Sequence, residues 1–101
     1  MTLTLELNIP EWADLTTLRV VSVTPRIAGH EEPRLAMLWR DPEGEGKTAG
    51  WWVIEVPSLP GCVSCGANSE EAIFMARDAA ELLIESHLAH GEPVPPGDWL
   101  A

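Results

Sequence analysis

The sequence predicts an α+β fold, an antiparallel sheet of four to five strands with one long helix packed on one face. Three observations carry that prediction. Segments that alternate apolar and polar residues recur through the first forty positions, the signature of strands with one buried face. The run Trp51–Val56 is apolar on both faces, as a strand covered from both sides must be. From Ser69 to about His90 the apolar spacing changes to that of a helix, which needs a sheet to lie on.

The elements follow in chain order. Thr2–Ile9 alternates without a miss, with Leu3, Leu5, Leu7 and Ile9 on one side, and Pro10 closes it. Glu11–Leu15, which contains Trp12, reads as a turn or a single helical turn. Leu18–Thr24 is rich in β-branched residues and stops at Pro25, after which Arg26–Pro33 is a loop. Arg34–Arg40 is a further strand, with Leu35, Met37 and Trp39 on one side and Ala36 and Leu38 on the other. Asp41–Gly50 holds three glycines and no core residue, the composition of an exposed hairpin loop.

Trp51 and Val53 then face one way and Trp52, Ile54 and Val56 the other. Pro57 and Pro60 bracket a turn in which Gly61 allows backbone angles closed to other residues. Cys62–Cys65 is a short strand. Asn68 is a helix N-cap with Glu71 completing a capping box, and Glu70 and Glu71 complement the positive end of the helix dipole. Ala72, Ile73, Ala76, Ala80, Leu83, Ile84 and Leu88 form the apolar stripe, and Gly91 with Pro93 ends the helix. The stiff Pro93–Pro96 tail leads to Trp99 and Leu100, placed to anchor the end on the core.

Length and composition bound the function. A chain of 101 residues, 46% hydrophobic and 22% charged, is one domain with a modest core. No apolar run is long enough to span a membrane and no secretion signal opens the chain, so the cytoplasm is the expected compartment. Sixteen acids against six bases give a net charge of −10, which a phosphate backbone would repel, so direct nucleic-acid binding by this domain is not expected. An acidic surface suits a basic protein partner, though the same charge also serves solubility alone.

The motifs for chemistry are weak. Cys62-Val63-Ser64-Cys65 has redox spacing, but it lies on a strand rather than at a helix start, and residues three apart on a strand face opposite ways. Two buried or half-buried thiols is the simpler reading. His87 and His90 share a helix face and with the cysteines make a zinc-compatible set, but their spacing fits no finger pattern. No nucleophile elbow surrounds Ser58 or Ser64, and no phosphate loop precedes Lys47-Thr48. No catalytic, metal or cofactor site is therefore expected. Five tryptophans exceed what a core of this size encloses, so some should meet a partner or a second copy of the chain.

The string Trp51-Trp52-Val53-Ile54-Glu55-Val56, Pro57-Ser58-Leu59-Pro60-Gly61-Cys62, then Gly66, Asn68 and Glu70-Glu71-Ala72, resembles the core of the HicB-like antitoxins. Ser58 stands where that family usually has an acid. The resemblance runs from about Arg34 to Pro96, leaving residues 1–33 as N-terminal extra strands. It implies a degenerate RNase H-like core without the nuclease carboxylates, and a non-catalytic module that binds and inhibits a basic HicA-like mRNA interferase. The alternatives are a solitary HicB-like domain with another partner, or a small zinc or thiol protein using Cys62, Cys65, His87 and His90. Many relatives continue into a DNA-binding domain, whereas this sequence stops at Ala101. In the antitoxin reading the expected contact residues are Trp51, Trp52, Asp78, Glu81 and Glu85. Pro57, Leu59, Pro60, Gly61, Gly66, Asn68 and Glu71 then form the structural motif, and the chain is expected to form a homodimer.

Overall fold

The computed structural model describes residues 14–42 and 50–97. The expected strand at Thr2–Ile9, most of the turn at 11–15, the interior of the 41–50 loop and the Trp99-Leu100 anchor lie outside the described residues. Four strands and one helix follow in chain order: β1 (Asp14–Val23), β2 (Arg34–Arg40), β3 (Trp52–Glu55), β4 (Val63–Gly66) and α1 (Ser69–Ala89). The strands form an antiparallel sheet in the order β1-β2-β3-β4, so the α+β class and the central place of β3 are as the sequence predicts.

β1 begins earlier than the residue pattern indicates, and its register gives the reason. Asp14 pairs with Arg40 and Arg19 with Leu38, so five steps along β1 oppose two along β2. Such a bulge breaks the alternation on which a strand is recognised. Within it the Thr17 hydroxyl accepts from the Arg40 backbone N–H at 2.8 Å. β4 is displaced one residue from the expected Cys62–Cys65, and Cys62 lies just before it.

Register separates the two faces of the sheet. Ala36, Leu38, Ile54 and Val56 meet Ala72, Ala76, Ala80 and Ile84 of α1, with Leu59 and Cys62 filling the end of the core. Helix residues four apart stand on one face, and three of these four are alanine, which brings the helix axis close to the sheet. Leu88, expected in this stripe, is instead exposed at the end of the helix. On the other face Met37 and Trp39 pack with Val53. Trp39 is 2% exposed, so the centre of this second face is buried within a single chain, while Leu18, Val20, Val63 and Cys65 at its margins are open.

Both ends of α1 are closed as the sequence predicts. Asn68 Oδ1 accepts from the Glu71 N–H at 2.8 Å, while the Glu71 carboxylate reaches back to the Ala67 N–H at 3.4 Å, one residue beyond the expected capping-box partner. At the far end Gly91, with φ +66°, donates to Leu88 O at 3.2 Å and Glu92 donates to His87 O at 2.9 Å, the paired bonds of a Schellman cap. The turn between β3 and β4 is closed by Val56 N–H to Cys62 O at 2.9 Å and Cys62 N–H to Leu59 O at 2.9 Å. That geometry drives Leu59 into the core between the two prolines.

Candidate protein-binding surface

α1 presents its outer face to solvent, and three of the expected contact residues stand together there. Asp78, Glu81 and Glu85 line a shallow hollow of about 270 Å³ with Leu82 among them. The sequence sets this arrangement: positions three and four apart on a helix are neighbours. Phe74, Asp78 and Leu82 follow one another at four-residue spacing, and Glu85 comes three after Leu82.

The three carboxylates are not equivalent. Arg26, on the loop after β1, grips Glu81 in a fork, with Nε to Oε2 at 3.1 Å and Nη2 to Oε1 at 3.0 Å. The Arg26 backbone N–H donates to the same Oε2 at 2.6 Å. Asp78 is 3.9 Å from the same guanidinium. These hydrogen bonds hold the Glu81 carboxyl below its ordinary range, and its side chain is only 15% exposed. Glu81 is thus committed inside the molecule. The sequence counts Arg77 as the single base on this face; Arg26 is a second, supplied by a loop fifty-five residues away in sequence, which no helical periodicity registers.

Trp51 and Trp52 belong to a different region. Both are half-buried; Trp52 packs against the helix-side core and its ring lies beneath the Arg19 guanidinium at 5.3 Å. The Trp51 carbonyl accepts from Asp41 N–H at 2.8 Å, continuing the β2–β3 hairpin. The structural-motif residues cluster at the other end of β3. Arg34 is 1% exposed, and its guanidinium donates to Ser58 Oγ at 3.0 Å, to Pro95 O at 2.6 Å and to Pro96 O at 3.3 Å. One buried cation therefore ties the Pro57–Gly61 turn to the tail after α1. The Gly97 N–H adds a 2.7 Å bond to Glu32.

The thiols and histidines do not converge. Cys62 is buried, as expected, with Sγ 3.8 Å from Ala76 O, whereas Cys65 is exposed on β4 rather than buried or half-buried, because it stands on the outer strand of the sheet; both are free. Burial pushes the Cys62 thiol up to about 11, so it carries no thiolate at neutral pH. His87 Nδ1 lies 3.3 Å from Glu92 and His90 Nδ1 lies 2.7 Å from Ser86 O, both engaged at the end of α1. Among the described residues no group of three or more His, Cys, Asp or Glu comes together to hold a metal, and no helix is long and apolar enough to cross a membrane. Alkylation of the native protein with iodoacetamide near neutral pH should modify Cys65 and leave Cys62 protected until denaturant is added. Mass spectrometry showing both thiols modified at equal rates would contradict this assignment.

Comparison with known proteins places this architecture. The sequence profile of the HicB-like antitoxin of bacterial toxin-antitoxin systems matches residues 43–101. The chain belongs to the HicB-like antitoxin family. The matched part takes in β3, β4, α1 and the turn motif, while β1 and β2 precede it. A UPF0150 protein of Thermoplasma acidophilum is 39% identical over 46 residues, 46% of this chain and 67% of that protein. A UPF0150 protein of Synechocystis is 48% identical over 44 residues, covering 44% of this chain and 56% of that one. No solved structure matches. Membership of an antitoxin family points to a role in binding rather than catalysis.

Sequence reasoning missed the outward apolar side chains of α1. Phe74 is 50% exposed and Leu82 67%, with Met75 also open to solvent. The signal was present: Leu82 and Leu83 are adjacent on a helix, so both cannot face the sheet.

Proposed function

We propose that this chain is the non-catalytic, protein-binding half of a toxin–antitoxin pair, which binds and inhibits a basic HicA-like RNA-cleaving toxin in the cytoplasm. Family membership over residues 43–101 carries the reading. The net charge of −10 supports it, because a protein that cleaves RNA must present positive charge to its substrate, and an acidic partner meets that surface with complementary sign. Inhibition then consists of covering the RNA-binding surface. In this reading Asp78 and Glu85 steer the encounter, Glu81 holds the loop carrying Arg26 in place, and Trp51 and Trp52 contribute apolar contact from the sheet.

Co-expression supplies the test. The basic protein encoded next to this chain should arrest growth alone and not in its presence. Reversing Asp78 and Glu85 to lysine should slow association and flatten its salt dependence. Arrest that persists in the presence of the wild-type chain would overturn the reading.

The proposal includes a homodimer. Its support is the open apolar margin of the second sheet face at Leu18, Val20 and Val63, the last on the outer strand β4. Sedimentation at micromolar concentration should give a particle of twice the 11.0 kDa chain mass; a particle of single mass would remove the dimer.

A further inference from the structure

We infer that the outer face of α1 is an apolar anchor site, in which Phe74 and Leu82, two turns apart, each receive an apolar side chain of the partner while Asp78 and Glu85 receive the lysines or arginines that flank them. The inference deepens the antitoxin reading and rests on it for the basic character of the partner.

The carboxylates alone would be a solvated surface, and the apolar residues set this face apart. Leu82 and Phe74 are among the most exposed large hydrophobic side chains of the described residues, although each sits mid-helix, where a polar residue is the ordinary choice. They lie on one ridge with Asp78 between them. Phe74 is fixed from one side by the Arg77 guanidinium, 5.6 Å from its ring, which orients the aromatic surface without covering it. Arg26 fixes and neutralises Glu81 at the margin and only reaches the half-exposed Asp78 at 3.9 Å, while Glu85 makes no ion pair among the described residues, so Asp78 and Glu85 remain open to a cation beside the hollow around Leu82.

That pattern selects the occupant. A second copy of this chain would set the same carboxylates against one another, at a cost for each like-charge juxtaposition. A basic amphipathic element places successive apolar side chains against Phe74 and Leu82 and its cations against Asp78 and Glu85, so both parts of the surface are satisfied at once. Interfaces of this kind draw most of their affinity from the central apolar contact and their rate from the charged rim. Truncating Phe74 or Leu82 therefore acts on dissociation, whereas charge reversal acts on association.

The probe is a short amphipathic helical peptide of leucine and lysine, compared with a scrambled isomer whose leucines are spread around the helix. Binding to the full chain is followed by fluorescence anisotropy. The amphipathic peptide should bind at least tenfold tighter than its isomer, and Phe74→Ser with Leu82→Ser should abolish that preference, each single variant giving a partial loss. Both side chains are exposed, so the far-ultraviolet dichroism should be unchanged and the loss assignable to the surface. Equal binding of the two peptides, or a preference that survives the double substitution, overturns the inference. The toxin assay separates the two proposals. A toxin neutralised equally by the wild-type chain and the double variant sinks the anchor site and leaves the antitoxin reading standing. Peptide preference lost in the double variant, together with a toxin that the wild-type chain does not neutralise, sustains the anchor site and sinks the antitoxin reading.

Discussion

Replacing Gly66 with alanine is expected to destabilise the fold by about 3 kcal/mol or more, at the upper end of what overpacking costs. Gly66 ends β4 opposite Trp52 and faces the first turn of α1. A Cβ there would stand 2.4 Å from Ala72 N, 2.8 Å from Glu71 C and 2.9 Å from Ala72 Cα. All three are helix backbone, so no side chain can rotate away, and the helix itself must retreat. Retreat opens the contacts of Ala72 and Ala76, which bury α1 only because both they and Gly66 are small. At roughly 4–8 °C per kcal/mol for a domain of this size, the melting temperature should fall by more than about 12 °C. Gly61→Ala is the comparison. Gly61 has φ +87° but nothing within 4 Å of an added Cβ, so its cost is the backbone conformation alone, about 1–2 kcal/mol. If Gly66→Ala melts no lower than Gly61→Ala, close approach of strand and helix is not what Gly66 provides.

The difference between those two glycines marks how far the sequence can be read. Gly66 and Gly61 both stand in the family string, yet only the fold distinguishes a glycine that admits a neighbour from one that turns the chain. The same division runs through the molecule. α1 was legible almost to the residue, because its caps and its four-residue spacing are local properties of the chain. β2 and β3 were legible because their alternation survives, and the double-sided apolar character of β3 correctly placed it inside the sheet. β1 was legible only past its bulge. Long-range polar contacts left no periodic trace: Arg26 with Glu81 and Arg34 with Ser58 and the tail join segments that nothing local connects. For the candidate surface the charges were legible, and the stripe through Leu83 and Ile84 already left Phe74 and Leu82 off the sheet face; how open each stands to solvent depends on what the sheet and the loops cover.

Arg34→Met should cost about 3 kcal/mol, because its guanidinium donates to several acceptors of the turn and the tail at once and is itself out of water. Pro95 O at 2.6 Å, Ser58 Oγ at 3.0 Å and Pro96 O at 3.3 Å receive its hydrogen bonds. Methionine keeps much of the side-chain volume, so the loss reports on the polar contacts rather than on a cavity. Lysine at position 34 keeps the charge but has no planar fork with which to hold the turn and the tail together, and should recover part of the stability. Denaturant titration measures the total, and amide hydrogen exchange locates it: protection at residues 94 and 97 should fall in the Met variant while α1 keeps its own. A Met variant within about 1 kcal/mol of wild type, with that protection intact, would mean the tail is held by packing instead. The resemblance adds a reason for the turn's composition. Where the family usually carries an acid, this chain has Ser58, whose hydroxyl accepts from Arg34 at 3.0 Å. An aspartate there would replace a neutral acceptor with a charged one, and charge-assisted bonds are roughly twice as strong. The turn motif is thus half of a buried polar contact whose other half lies on β2, outside the matched region, and the strand and the turn specify one another.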